Sequence, residues 1–305
     1  MQQQANKSTK AQTKTSIRAH LAKSLEGHPL LGYVVCWSTA EHFKVKYDSF
    51  IKVLKDLDIP EDIANEIREK SAFTRAMHNQ RKKGVYAHKV VDDQNRTGMV
   101  LVKMKTINEQ DLKVRGSDTT QATMDKKSKG VEITGEHSKE VKEDYEALKD
   151  CYTANQFRAA VIRFIFNHCE GISVRDRGGM YFIPSHKNED FKKLEALFAK
   201  YPGNSLTVIP VVDGAVAKNS MMKTMTGDVE AEIENLKKDF ENMKDDSSSR
   251  SVETRLEKYK KLRAKVENYE DLLAGTAVGL KEQLDKLSKA VVKKLKEDEE
   301  PEAKK

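Results

Sequence analysis

The stretch from residue 153 to residue 184, TANQFRAAVIRFIFNHCEGISVRDRGGMYFIP, constrains the fold more than any other part of the chain. Thr153 and Gln156 have the spacing of a capping box, which predicts that a helix begins there. Apolar side chains then recur at helical spacing, together with one histidine, and predict a wide buried stripe: Phe157, Ala160, Val161, Phe164, Ile165 and His168. The stretch therefore predicts a core helix that ends near Gly171.

A tight hairpin is predicted directly after this helix, over residues 172–183. Gly178 and Gly179 lie at its turn, because glycine adopts the positive φ that a hairpin turn requires. A helix followed by a hairpin with arginines near its turn is also the pattern of a winged-helix DNA-binding protein, in which Arg175 and Arg177 would contact phosphates. The alternative interpretation is an ordinary α+β core with solvated arginines.

The string RDRGGMYFIP, from Arg175 to Pro184, resembles a hairpin of known proteins. A family of uncharacterised proteins of bacteriophages and bacterial mobile elements carries a similar R-x-x-G-G-x-Y-F-x-P hairpin after a helix. The resemblance is confined to this hairpin and the arginine-bearing helix before it. It implies a phage or mobile-element origin, and it carries over no catalytic residue because that family has no assigned activity.

The composition limits the class of protein. Of the 305 residues, 38% are hydrophobic and 34% are charged, so part of the chain is expected to be extended and solvated. The cysteines Cys36, Cys151 and Cys169 have no paired spacing, which argues against a disulfide framework or a zinc site and fits a reducing cytosol. No apolar run is long enough to cross a membrane and no signal-peptide pattern opens the sequence. We therefore expect a cytoplasmic protein, in the host cytoplasm if it is phage-encoded, with no membrane partner.

Most of the excess positive charge is predicted to lie in a disordered arm, residues 1–23, which contains no acidic residue although the chain carries +7 overall. Its candidate phosphate contacts are Lys7, Lys10, Lys14 and Arg18. A basic arm can hold nucleic acid by electrostatic attraction. The alternative is a tail that only keeps the protein in solution.

Three folded regions are predicted after the arm. Residues 24–136 are expected to form an α+β region, in which a helix begins at Pro60 and an antiparallel meander begins at Val85. Within the meander, the polar residues 116–130 are predicted to be a mobile loop between two short strands. Residues 137–212 are predicted to add a helix, the glycine hairpin, a helix and a strand, as in a winged-helix-like region.

The last third of the sequence has the strongest periodic signal. Over residues 213–297, apolar residues step by three and four with Lys and Glu between them, which predicts a coiled-coil helical hairpin with antiparallel helices. The charged tail 298–305 follows. The predicted interaction seam consists of Leu256, Tyr259, Val266, Tyr269, Leu273, Leu280, Leu284 and Leu287.

No nucleotide-binding or catalytic motif has the context that it requires, so we expect a non-enzymatic protein without cofactor or metal. The predicted fold class is α+β, with small antiparallel sheets, packed helices and the coiled-coil hairpin. The first functional prediction is assembly through the coiled coil, with itself or with another protein. The alternative is nucleic-acid binding through the arm, the 172–183 hairpin and the arginines Arg158, Arg163, Arg175 and Arg177. An unrecognised hydrolase is the third interpretation.

Overall fold

The computed structural model describes residues 29–81, 85–108, 113–175, 178–241, 249–272, 282 and 284–285. These residues form an α+β fold with small antiparallel sheets. The strands are β1 Leu30–Ser38, β2 Lys44–Lys46, β3 Val85–Asp92, β4 Arg96–Asn108, β5 Lys113–Asp125, β6 Val131–Gly135, β7 Cys151–Thr153, β8 Ile172–Ser173, β9 Tyr181–Pro184 and β10 Ser205–Val212. The α-helices are α1 Tyr47–Asp56, α2 Glu69–Asn79, α3 Ser138–Lys149, α4 Ala154–Asn167, α5 Asn188–Lys200, α6 Ala215–Glu241 and α7 Ser249–Leu272.

The internal contacts divide the chain into two compact units. Unit one comprises Met1–Trp37, Phe164–Lys192 and Leu206–Lys305, and unit two comprises Ser38–Arg163 and Lys193–Ser205. Each unit is therefore a group of mutual contacts rather than one consecutive stretch of sequence. The linear domain boundaries predicted above stay a prediction.

Unit two is built on the antiparallel sheet β3-β4-β5-β6. One face of this sheet packs against α2 and α3, because successive strand side chains point to opposite faces and the apolar ones share a side. The core that results contains Ala72, Phe73, Ala76, Met77, Val85, Ala87, Met99, Leu101, Ala122, Met124, Val141, Tyr145 and Leu148.

The prediction of a mobile loop over residues 116–130 is wrong. Strand β5 runs through most of it and pairs with β4 on one side and with β6 on the other. Its threonines are β-branched, which favours extended backbone. Thr120 is buried, and its hydroxyl accepts a hydrogen bond from the backbone N–H of His137. The polar composition was misleading because the backbone groups of β5 are satisfied by its neighbouring strands, whatever its side chains are.

The predicted start of the next helix, at Pro60, is also wrong. The structure has only a 3₁₀ turn, Glu61–Ile63, and α2 begins six residues later. Tertiary hydrogen bonds explain the interruption. The carbonyl of Ile63 accepts a bond from Arg163 and the carbonyl of Asn65 accepts one from the Tyr152 hydroxyl, so side chains of other segments satisfy these two carbonyls where the helical turn is interrupted.

Unit one contains the sheet β10-β1-β9-β8 and the predicted glycine hairpin. Strands β8 and β9 pair antiparallel, and Gly178 and Gly179 adopt φ values of 69° and 88°. The positive φ expected at this turn is confirmed. Gly32 in β1 is required for another reason, since a Cβ atom there would overlap the carbonyl oxygen of Ile183 in β9.

Helices α6 and α7 share one core with β1, β8 and β9. Its buried members on the two helices are Met221, Met225, Val229, Ile233, Leu236, Tyr259, Leu262, Val266 and Tyr269. The predicted seam residues Tyr259, Val266, Tyr269 and Leu284 are therefore buried within the chain itself, and Leu256 packs against the same core. The seam residues Leu273, Leu280 and Leu287 lie outside the described residues.

Leu284 lies alongside α7 rather than on its axis. The hydroxyl of Tyr259 donates to the carbonyl of Leu284, 25 positions later, at 3.4 Å. In one straight helix these residues would be about 37 Å apart, given a rise of about 1.5 Å per residue. Among the helices that the structure describes, none is both long and apolar enough to span a bilayer.

Candidate functional site

The candidate site, which we call the basic cleft, is a surface cleft of about 1010 Å³ in unit two. Helices α2 and α4 both begin at this cleft. Its wall includes their first residues, namely Glu69, Lys70 and Ser71 of α2 and Asn155 and Gln156 of α4. The first turn of a helix has backbone N–H groups without helical partners and carries a partial positive charge. Two such ends at one cleft favour an anionic ligand.

Basic side chains outnumber acidic ones in the lining of this cleft. The basic ones are Arg68, Lys70, Arg75, Lys126, Lys129 and Arg163, and the acidic ones are Glu66 and Glu69. This excess reinforces the positive potential of the two helix ends. The basic cleft can therefore bind several negative groups at once.

Arg75 and Arg163 are held in place by neutral oxygens. Arg75 Nη1 donates to Gln156 Oε1 at 2.8 Å and to Thr153 Oγ1 at 3.2 Å. Arg163 Nε donates to the backbone carbonyl of Ile63 at 2.6 Å. Burial lowers the pKa of Arg75, but arginine stays protonated in proteins. Both guanidinium groups therefore keep their charge and further N–H donors, in positions fixed before a ligand arrives.

The capping box that the sequence predicts holds Arg75 in place. Gln156 Oε1 accepts hydrogen bonds from both the backbone N–H and the hydroxyl of Thr153, each at 2.9 Å. The first is one of the two reciprocal bonds of a capping box, so the predicted cap is confirmed in part. The same oxygen accepts the bond from Arg75. A local signal at the start of α4 therefore connects this helix to α2.

Asp92, at the end of β3, gathers three lysines beside the cleft. Lys70 Nζ lies 2.7 Å and Lys126 Nζ 2.9 Å from Asp92 Oδ1, and Lys89 Nζ lies 3.1 Å from Oδ2. Hydrogen bonds from Lys70, Lys126 and Lys89 lower the pKa of Asp92 far below its usual range. One carboxylate compensates three cations, so this group retains positive charge. This role of Asp92 was not predicted from the sequence.

The remaining cleft cations differ in how far they are compensated. Lys129 Nζ lies 2.9 Å from Glu69 Oε1. Arg68 is exposed, and none of the residues that the structure describes pairs with its guanidinium group. Arg68 is therefore the cation of this cleft most available to a ligand.

The structure places the predicted nucleic-acid contacts at different sites. Arg163 lines the basic cleft, and Arg158, which is exposed, donates at 3.0 Å to Asn155 in the cleft wall. Arg175 is exposed in the hairpin of unit one, where its carbonyl accepts a bond from the Ser173 hydroxyl. The other predicted contacts, Arg177, Lys7, Lys10, Lys14 and Arg18, lie outside the described residues.

Five cleft cations were missed by the sequence analysis: Arg68, Lys70, Arg75, Lys126 and Lys129. The basic residues just before and within the first turn of α2 were the one available signal. This signal was not recognised because the start of α2 was predicted at Pro60 instead of Glu69.

A second polar cluster, in unit one, centres on Glu170. Its carboxylate accepts hydrogen bonds from Asn268 and Lys187 at 3.0 Å and lies 2.9 Å from His186 Nε2. Burial raises the pKa of Glu170, but the hydrogen bonds from His186, Asn268 and Lys187 outweigh it and lower the pKa to about 2. A carboxylate so fully engaged stabilises structure and is a poor general acid or base.

Within the described part of the chain, no group of three or more His, Cys, Asp or Glu side chains is placed to hold a metal ion. No curated protein matches the sequence, and no solved structure matches it either. Residues 30–301 match the profile of one protein family, described as a family of unknown function (DUF6744). Because this match covers most of the sequence, the chain belongs to the DUF6744 family.

Proposed function

We propose that the protein binds nucleic acid and that its basic cleft contacts the phosphates. The observation that carries this proposal is the pair Arg75 and Arg163, fixed by neutral acceptors at a cleft where two helices begin. A charged guanidinium held in place loses little conformational entropy when it binds phosphate. Arg158 and Arg68 extend the same positive surface to the rim.

The distribution of charge favours a polymer with several phosphates over a single small anion. The basic side chains line a broad surface cleft instead of converging on one point. Contacts to phosphates carry no sequence information, so we expect binding that depends on salt and hardly on base sequence.

Fluorescence anisotropy with a labelled oligonucleotide tests this proposal. The double variant Arg68→Gln/Arg163→Gln should weaken binding and lower the slope of log affinity against log salt by about 0.7 per lost contact on single strands. Lys52→Gln/Arg81→Gln is the matched control, because it removes two exposed cations of unit two that do not line the cleft. Equal affinity and equal salt slope in the two double variants would refute the proposal.

Assembly through the C-terminal helices is the second proposed function. On α7 the buried residues Tyr259, Leu262, Val266 and Tyr269 follow each other at steps of three, four and three, the spacing of a heptad seam. This spacing supports a coiled-coil hairpin of α6 and α7. Because the seam faces the chain's own core, a partner would contact the outer, charged side of α7. Light scattering tests this proposal: a concentration-independent monomer would exclude self-assembly.

The biological setting is also part of the proposal. The hairpin of residues 175–184 supports a phage or mobile-element origin by its resemblance, and we propose a non-enzymatic role in the cytoplasm. Genes for phage or integration proteins beside the gene for this chain are the expected observation. Consistent placement among unrelated housekeeping genes would argue against that origin.

A further inference from the structure

We infer that the bound nucleic acid is a single strand that continues from the basic cleft into a second cleft along α3. This inference rests on the proposed function. The second cleft, which we call the lysine cleft, has a volume of about 870 Å³. Its basic lining residues are Lys129, Lys139, Lys142 and Lys149, and its acidic ones are Glu69, Glu146 and Asp150.

The two clefts adjoin each other. Glu69 and Lys129 line both of them. Lys129 Nζ pairs with Glu69 Oε1 at 2.9 Å, and its side chain remains well exposed. Lys129 also has a φ of 61°, a backbone conformation that is unfavourable for a lysine. A cation held in this conformation at the junction can exchange its partner Glu69 for a phosphate of a strand that crosses from one cleft to the other.

The lysine cleft offers cations that are not already engaged. Lys142 is exposed, and no acid among the described residues pairs with it. Lys139 lies 4.0 Å from Glu143, and both side chains are largely exposed, so this pair is weak. Lys149 is the exception, because its Nζ lies 2.6 Å from Glu146 Oε2. Lys139 and Lys142 are therefore the phosphate contacts that we assign to this cleft.

The dimensions and lining favour a single strand over a duplex. Each cleft, with a volume of about 1010 or 870 Å³, has the size of a pocket for a drug-sized molecule and is too small to enclose a double helix. A positive groove that follows the backbone is one of the two elements of single-strand binding, and aromatic side chains that stack on the bases are the other. Tyr152 and Tyr145, the aromatic residues of the two clefts, are buried and offer no stacking surface. Phosphate contacts therefore dominate, and the binding is insensitive to base sequence.

The experiment compares labelled thymidine oligonucleotides of about 5 and about 20 nucleotides with a duplex of the longer length. The short strand lies near the lower limit of common single-strand site sizes and the long one exceeds their upper limit. The full chain is titrated as wild type, as Lys139→Gln/Lys142→Gln, as Arg68→Gln/Arg163→Gln and as the control Lys52→Gln/Arg81→Gln. Loss of two contacts should lower the salt slope for the long strand by about 1.4. Lys139→Gln/Lys142→Gln should therefore weaken the long strand about tenfold at low salt and leave the short strand unchanged. Because both lysines are exposed, their substitution leaves the fold intact, and weaker binding cannot result from unfolding.

The other outcomes separate this inference from the proposed function. If Arg68→Gln/Arg163→Gln weakens both strands while Lys139→Gln/Lys142→Gln weakens neither, the extended track is overturned and the basic cleft stands. Equally tight binding of the duplex with the same sensitivity to Lys139 and Lys142 would overturn the single-strand assignment. If the wild-type protein binds none of the three nucleic acids, both the proposed function and this inference fail.

Discussion

The side-chain amide of Asn268 donates to both carboxylate oxygens of Glu170, 98 positions earlier in the chain, at 3.0 Å. Glu170 follows the last turn of α4 with a φ of 51°, a position where glycine is usual. The hydroxyl of Tyr269 donates to the Glu170 carbonyl at 2.9 Å. These bonds connect the end of α4 to α7, and they offset the backbone strain of a non-glycine residue, which is of order 1–2 kcal/mol.

Glu170→Gln should destabilise the protein at neutral pH and have a smaller effect in acid. The folded pKa of Glu170, about 2, is lower than its ordinary value of 4.5. Its contribution is therefore complete above about pH 4.5 and is lost as the pH falls towards 2. We expect a loss of about 2 kcal/mol at pH 7, after allowance for partial solvent screening. Urea unfolding at pH 7 and pH 3 measures it.

Glu230→Gln is the control for this substitution, because Glu230 is exposed on α6 in the same unit. It should change the unfolding free energy by less than about 0.5 kcal/mol at either pH. A Glu170→Gln effect that is the same at pH 7 and pH 3 would contradict the assigned role of the ionised carboxylate.

Gly179→Ala should lower the melting temperature through backbone strain alone. Gly179 has a φ of 88°, and a Cβ atom there would meet no heavy atom within 4 Å. Strain of about 1–2 kcal/mol is expected, without any steric overlap. Gly214→Ala is the matched control, since Gly214 has equally open surroundings and no positive φ. Thermal unfolding followed by circular dichroism should separate the two variants, and equal melting temperatures would refute the strain argument.

Lys265→Ala should destabilise unit one by about 3 kcal/mol. The Lys265 side chain is 7% exposed, and its Nζ lies 3.2 Å from Glu232 and 3.4 Å from Asp228. Removal of the lysine leaves Asp228 and Glu232, which are 19% and 39% exposed, without their cation. It also removes the buried lysine stem from the core, and the two losses together cost several kcal/mol. Lys261→Ala, at an exposed position on the same helix, should cost less than about 0.5 kcal/mol. Chemical denaturation of the two variants checks the difference, and similar values would contradict it.

Leu284→Asp should destabilise the single chain. Leu284 is buried in the core that α6 and α7 share with β1, β8 and β9, so the aspartate would have to be desolvated there. We expect a loss of at least about 3 kcal/mol, measured by urea unfolding, with no dependence on protein concentration. An effect that disappears on dilution would indicate instead that Leu284 contributes to an intermolecular seam.

Local features of this protein followed from the sequence alone. The positive φ at Gly178 and Gly179 and the bond from the Thr153 backbone N–H to the Gln156 side chain were predicted correctly. Each depends on residues within a few positions of one another, so the chemistry of the local sequence is sufficient. The α+β class followed for the same reason, because the periodicity of apolar residues reports which face of each element is buried.

Only the tertiary structure decided the basic cleft, the course of β5 and the position of Leu284. Arg68 and Arg75, Lys126, and Arg163 come from three distant segments, and their convergence depends on how α2, α4 and the sheet pack in unit two. The polar strand β5 is held by backbone hydrogen bonds to β4 and β6, which its side-chain pattern does not reveal. Leu284 fits a heptad with Tyr259 in the sequence and lies beside it in the structure. Periodicity identifies a buried face and leaves open which part of the chain covers it, because burial of apolar surface is non-directional.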